Sequence, residues 1–199
     1  MSFICSSRLC LASASPRRQQ LLTQLGLQYE VVIPVVDEQI RGDESPSEYV
    51  QRLALDKARA GRQLRVRGGQ HGLPVIGADT AVVVDDHLLG KPEDKAAALA
   101  MLTRLSGRWH EVLTAIALVC DERTYTAVNR SRVEFGAVDE ETMARYWQSG
   151  EPCDKAGAYG IQGMAAAFIK HLDGSYSGVM GLPLYELTGL LKQAGLVNH

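Results

Sequence analysis

The chain has 199 residues, 46% hydrophobic and 22% charged, with 21 basic against 23 acidic residues and a formal net charge of -2. That composition supplies a real core and excludes disorder as the main state, and the length suits a single domain, 1–199, with two lobes that are not independent. No stretch approaches the roughly 20 apolar residues of a membrane helix, and no chain-wide basic excess marks a nucleic-acid binder, so no membrane or nucleic-acid partner is expected. The N-terminus lacks a charged leading region, and Arg8 interrupts its short apolar stretch, so it does not read as a secretion signal. Cysteines at 5, 10, 120 and 153 form no CxxC pair and read as reduced thiols of a cytoplasmic protein.

Strand-like and helix-like segments alternate. Residues 8–13 read as a strand, and Ser15-Pro16 opens a helix that runs to Leu25 and stops at Gly26. A strand over 28–33 leads into a polar stretch from Asp37 to Ser45. Ser45-Pro46-Ser47-Glu48 is a capping-box pattern for a long helix to Leu64. Residues 74–78 and 81–84 read as two strands with Asp79-Thr80 between them, and Asp85-Asp86 as a hairpin turn. Lys91-Pro92, with proline in the first turn, precedes a helix to Leu105. The runs 110–120 and 124–136 pair as a hairpin about Asp121-Glu122-Arg123. Helices over 139–148 and 182–194 follow, and the glycine-rich 157–163 fits no regular element. Crossovers and a hairpin together predict an α/β fold with a mixed sheet.

Three cations stand where an anion would explain them. Ser13-Ala14-Ser15-Pro16-Arg17-Arg18 puts two arginines in the first turn of a helix, where the unpaired N–H groups already carry partial positive charge. A strand, a serine-rich turn and a helix start form a phosphate-binding geometry, and Arg18 shares the inward face of Leu21, Leu22 and Leu25. The alternative is a pair of solvated helix-end arginines. Lys57 falls on the stripe of Val50, Leu53, Ala54, Ala58 and Gly61; a lysine on a buried face either snorkels out or meets a carboxylate or phosphate. Arg52, Arg59 and Arg62 lie off that stripe and read as solvated charges. Lys91, ahead of a helix, is the third cation.

Asp79 follows an apolar strand, and strand ends gather sites in α/β proteins; it reads equally as a turn Asp satisfying backbone amides. With Glu38 it forms a carboxylate pair suited to a hard divalent cation. There is no GxxxxGK[ST] or GxGxxG, which disfavours Walker ATPases and Rossmann dehydrogenases, and no histidine spacing suits zinc.

Together these segments resemble the Maf family of nucleoside triphosphate pyrophosphatases over nearly the whole chain. The matching motifs include Ser13 to Arg18, Asp37-Glu38, Leu53-Ala54 with Lys57-Ala58, Gly77-Ala78-Asp79-Thr80, Gly90-Lys91-Pro92, Glu151-Pro152, Asp154 to Gly163, and Gly174-Ser175-Tyr176-Ser177 with Gly181-Leu182-Pro183-Leu184. The resemblance implies cleavage between the α- and β-phosphates, releasing a monophosphate and pyrophosphate. It also implies a divalent metal cation (Mg2+ or Mn2+), a homodimer, and a long curved mixed sheet in two lobes around a central cleft, similar to inosine triphosphate pyrophosphatases. By matching motif, Asp79 is the general base and a metal ligand, Glu38 helps hold the metal, and Ser13, Arg18, Lys57 and Lys91 contact phosphate. A subgroup acting on 7-methyl-GTP carries Trp, Gln and Glu where this chain has Arg17, Thr80 and Gln162, which match the dTTP/UTP subgroup. Gly178 departs from the larger polar residue common in the family. The competing expectations are a non-enzymatic nucleotide-binding regulator of septum formation and a nucleotidyltransferase.

Overall fold

The computed structural model describes residues 8–121 and 123–197; Cys5 and Glu122, at the predicted hairpin tip, lie outside the described residues. In chain order the elements are β1 (Leu9–Ala12), α1 (Pro16–Gln24), β2 (Tyr29–Val32), α2 (Pro46–Arg67), β3 (Val75–Val84), β4 (His87–Leu89), α3 (Lys95–Leu105), β5 (Trp109–Cys120) and β6 (Arg123–Phe135). Then come α4 (Glu140–Gln148), β7 (Ile169–Asp173), α5 (Tyr176–Met180) and α6 (Leu184–Gln193). The strands form one mixed sheet in the order β2-β1-β3-β5-β6-β7, with β4 on β3. No described helix is long and apolar enough to cross a membrane.

The chain divides into two compact units. The first takes the described residues up to Asp79, Thr114–Asn129, and those from Gly181 on; the second takes Thr80–Leu113 and Arg130–Met180. In the first unit, β1 pairs in parallel with both β2 and β3, which α1 and α2 make possible, because parallel neighbours need a crossover. Both halves of the Ser45–Glu48 capping box form, so α2 starts where the sequence signals it. The predicted stripe is buried in full. Helix and strand meet closely at Gly77, where an added Cβ would strike the Ala54 carbonyl and the Ala58 amide. A Cβ at Gly61 would come within 2.8 Å of the Ala12 Cβ. These glycines set how near α2 lies to β3.

The second unit is built on an apolar cluster that includes Leu102, Leu105, Val112, Phe135, Met143 and Tyr146. Asp85 and Asp86, both at positive φ (51° and 59°), make the turn into β4, as their position predicted. The glycine-rich region is a chain of 3-10 turns over Glu151–Asp154, Ala156–Ala158 and Met164–Phe168. Sequence patterns did not show β4, β7 or α5, which are three to five residues long and too short to display a period.

Two expectations are corrected. Residues 74–78 and 81–84 are one ten-residue strand, so Asp79 and Thr80 are inside β3 and not in a turn. The ladder explains why Asp79 still lies at an end: pairing with β1 is seen at Val75 and Ile76, and pairing with β4 begins at Val82. Asp79 therefore follows the carboxyl end of the parallel segment. Second, α3 does not begin near Pro92. The Asp94 carboxylate accepts the Ala97 amide at 2.8 Å and caps the helix at Lys95, which leaves Lys91 in the preceding loop, away from any helix start.

Candidate active site

The first unit gathers five of the predicted residues around the carboxyl end of its parallel strands. Ser13 follows β1, and its hydroxyl accepts the Ser15 amide at 3.2 Å, which folds the turn ahead of α1. The same oxygen accepts Arg18 Nη1 at 3.0 Å, while Arg18 Nε donates to the Gly181 carbonyl at 2.8 Å. The guanidinium is thus aimed inward by contacts at both of its edges. Burial pulls its pKa down, and the Asp79 carboxylate acts against that pull.

Lys57 reaches off the buried stripe of α2 to two carboxylates. Its Nζ lies 2.7 Å from Asp79 Oδ1 and 2.7 Å from Glu38 Oε1. This decides between the alternatives for a buried-face lysine: it meets carboxylates. Asp79 shares the face of β3 that Gly77 presents to α2, since side chains two apart on a strand point the same way. Burial pushes the Asp79 carboxyl above the usual carboxylate range despite the nearby Lys57 and Arg18 charges, and Glu38 adds to the rise.

Further residues, missed from sequence, hold the Glu38 segment in place. The Tyr49 hydroxyl donates to the Glu38 carbonyl at 3.0 Å. Burial, with the Asp79 and Glu38 charges behind it, pushes that phenol up to about 12, so it stays a donor. Arg52 was expected to be solvated. Instead it forks onto Glu44 at 2.6 and 2.8 Å, donates to the Gln39 carbonyl at 2.9 Å, and lies 5.6 Å over the Tyr49 ring. The signal was available: Tyr49 and Arg52 are spaced at a helical interval beside the Lys57 stripe. Their partners are in an irregular segment, which has no period to read.

Two oxygen donors that already converge on one cationic nitrogen fit a hard divalent cation, which takes carboxylate oxygens. Among the described residues no three His, Cys, Asp or Glu side chains come together as a metal-binding group, so Glu38 and Asp79 are a pair. His110 is buried against Phe135 and Tyr159, with Nε2 2.8 Å from the Tyr159 hydroxyl, and is structural.

A family model described as Maf-like protein matches residues 8–194. The chain belongs to the Maf family. Curated relatives named dTTP/UTP pyrophosphatase include one from Hahella chejuensis, 49% identical over 189 residues, with 95% of this chain and 93% of the relative covered. Another, from Alkalilimnicola ehrlichii, is 53% identical over 184 residues, covering 92% and 91%. The solved structure of the Staphylococcus aureus Ham1 protein has a TM-score of 0.42 at 16% identity, covering 65% of this chain and 72% of that one, a likeness too slight to bear on function.

Three of the remaining predicted residues of this Maf protein belong to the second unit. Thr80 is half-buried, and Lys91 and Gln162 are exposed. The loop of Gln162 is pinned from below. Glu151 accepts the Met164 amide and the Tyr146 hydroxyl, each at 2.8 Å, and a Cβ on Gly163 would collide with its carboxylate. Arg17 is half-buried in the first turn of α1, in the first unit.

Proposed function

We propose that this chain hydrolyses dTTP and UTP between the α- and β-phosphates, giving the monophosphate and pyrophosphate. The observation that carries the reading is the convergence of Asp79, Lys57, Glu38, Arg18 and Ser13 at the strand-to-helix turn of the first unit. The substrate class is taken from relatives about half identical to it.

In this reading Asp79 accepts a proton from the water that attacks the α-phosphorus, and the bond from that phosphorus to the bridging oxygen breaks. A carboxyl with a raised pKa is a better base than an ordinary Asp. Arg18, Lys57 and Ser13 grip the phosphate oxygens, and Arg18 arrives already oriented by Ser13 and Gly181. Lys91 is assigned to phosphate by its motif. A divalent cation held by Glu38 and Asp79 supplies charge neutralisation for the triphosphate. Arg17, Thr80 and Gln162 set the base preference, on the ground of their subgroup motifs. A neutral amide at Gln162 offers both the donor and the acceptor that a pyrimidine edge requires.

The test is a nucleotide panel with pyrophosphate detection. The expected result is turnover of dTTP and UTP above 7-methyl-GTP and the purine triphosphates, with Gln162→Glu weakening pyrimidine use. Binding without product, or transfer to an acceptor other than water, would reject the assignment.

A further inference from the structure

The ammonium of Lys57 lies between the two carboxylates that are the candidate metal ligands. It sits 2.7 Å from one oxygen of Asp79 and 2.7 Å from one oxygen of Glu38, so it takes both candidate ligands at once. We propose that Lys57 is an internal stand-in for the metal: it bridges Glu38 and Asp79 in the metal-free chain, is displaced when the cation binds, and is thereby released to the phosphates. This rests on reading Glu38 and Asp79 as metal ligands.

Three features support an exchange over a fixed ion pair. Two carboxylates that reach one point repel each other, and a cation between them relieves that repulsion when the metal is away. Asp79 cannot turn to water for relief, because its side chain is only 11% exposed; Glu38, at 52%, can swing. The bridging residue is a lysine, a compact point charge on a flexible four-carbon stem, whereas the fixed clamp nearby, Arg52 on Glu44, uses the planar fork. The backbone of the Glu38 segment is held by Tyr49 and Arg52, so exchange needs only side chains to move. Competition of this kind weakens metal binding in the free protein. A nucleotide that engages the displaced ammonium restores it, and the reciprocal gain appears in nucleotide affinity.

Mn2+ alone is the probe, added to the full-length chain without nucleotide. Lys57→Met is expected to bind Mn2+ about tenfold or more tightly than wild type, since no internal cation competes. Lys57→Arg, which keeps the charge, is expected to stay weak. Arg59→Met, which removes an exposed charge from the same helix, is expected to leave Mn2+ binding unchanged. A wild-type measurement does not depend on any variant folding: amine-reactive labelling of Lys57, read by mass spectrometry, is expected to be slow without metal and to rise several-fold with saturating Mn2+. Equal or weaker Mn2+ binding by Lys57→Met, or labelling of Lys57 that Mn2+ leaves unchanged, would overturn the proposal. Turnover of UTP by wild type is a separate result, so failure of the exchange and failure of the pyrophosphatase reading are distinguishable.

Discussion

Asp79 in the first unit and His110 in the second are both buried titratable side chains on strands, and their surroundings could hardly differ more. His110 lies among rings, with Phe135 and Tyr159 edge-on at 5.1 and 5.4 Å, and burial alone lowers its pKa to about 4. It is neutral, holds one hydrogen bond, and leaves Nδ1 without a partner. Burial pushes the Asp79 carboxyl upward, while the Lys57 and Arg18 charges act against that rise and a nearby carboxylate, Glu38, adds to it. A neutral buried group with a single partner is architecture. Charges of both signs crowded around the end of a parallel strand segment are poor architecture, since desolvation offsets much of their attraction, and such an arrangement persists where a charged ligand completes it.

The contrast is sharpest at Asp79 itself. Asp79→Asn keeps the shape and removes the proposed base, so turnover is expected to fall by roughly 10²–10⁴-fold with fold and nucleotide binding retained. In wild type the base must be ionised, and its raised pKa places the acidic limb of the rate profile above the 3.8 of an ordinary Asp, with activity lost as pH falls through it. Near-normal turnover in the variant would remove Asp79 from the chemistry.

His110 is expected to show itself in stability. Its folded pKa, about 4, lies below the ordinary 6.5, so between those values the unfolded chain holds more protons than the folded one. Its contribution is complete above pH 6.5 and is lost as pH falls toward 4, to a total of about 3 kcal/mol. Urea unfolding across that window is expected to lose this slope in His110→Gln, which does not titrate. An unchanged slope would place the acid sensitivity elsewhere.

Arg18→Ala removes one of the proposed charge-assisted phosphate contacts, expected to cost about 1.5–3 kcal/mol of nucleotide binding. The loss appears in titration with UTP, and the fold is retained because Arg18 also faces repulsion from Arg17. Normal UTP affinity in this variant would move the phosphate site away from α1.

Much of this was legible in the sequence because it was periodic or capped. The α2 stripe with Lys57 in it, the Ser45–Glu48 box and the Pro16 helix start all appear as expected. Local patterns failed where a tertiary partner decided the outcome. The strand through Asp79 continues past the β1 ladder because β3 has further neighbours, β5 and, from Val82 on, β4. The start of α3 went to Asp94, a stronger cap than the Lys91-Pro92 signal. Arg52 looked solvated because its partners, Glu44 and the Gln39 carbonyl, belong to a segment without repeat. Gly181, which fixes Arg18 through its carbonyl, is 163 positions away in the chain and left no local trace.

In the proposed reaction, water activated beside Asp79 attacks the α-phosphorus. Hydrolysis of UTP in ¹⁸O-labelled water, with both products weighed by mass spectrometry, tests it directly. One ¹⁸O is expected in the monophosphate and none in the pyrophosphate. Label in the pyrophosphate would mean attack at the β-phosphorus and would contradict it.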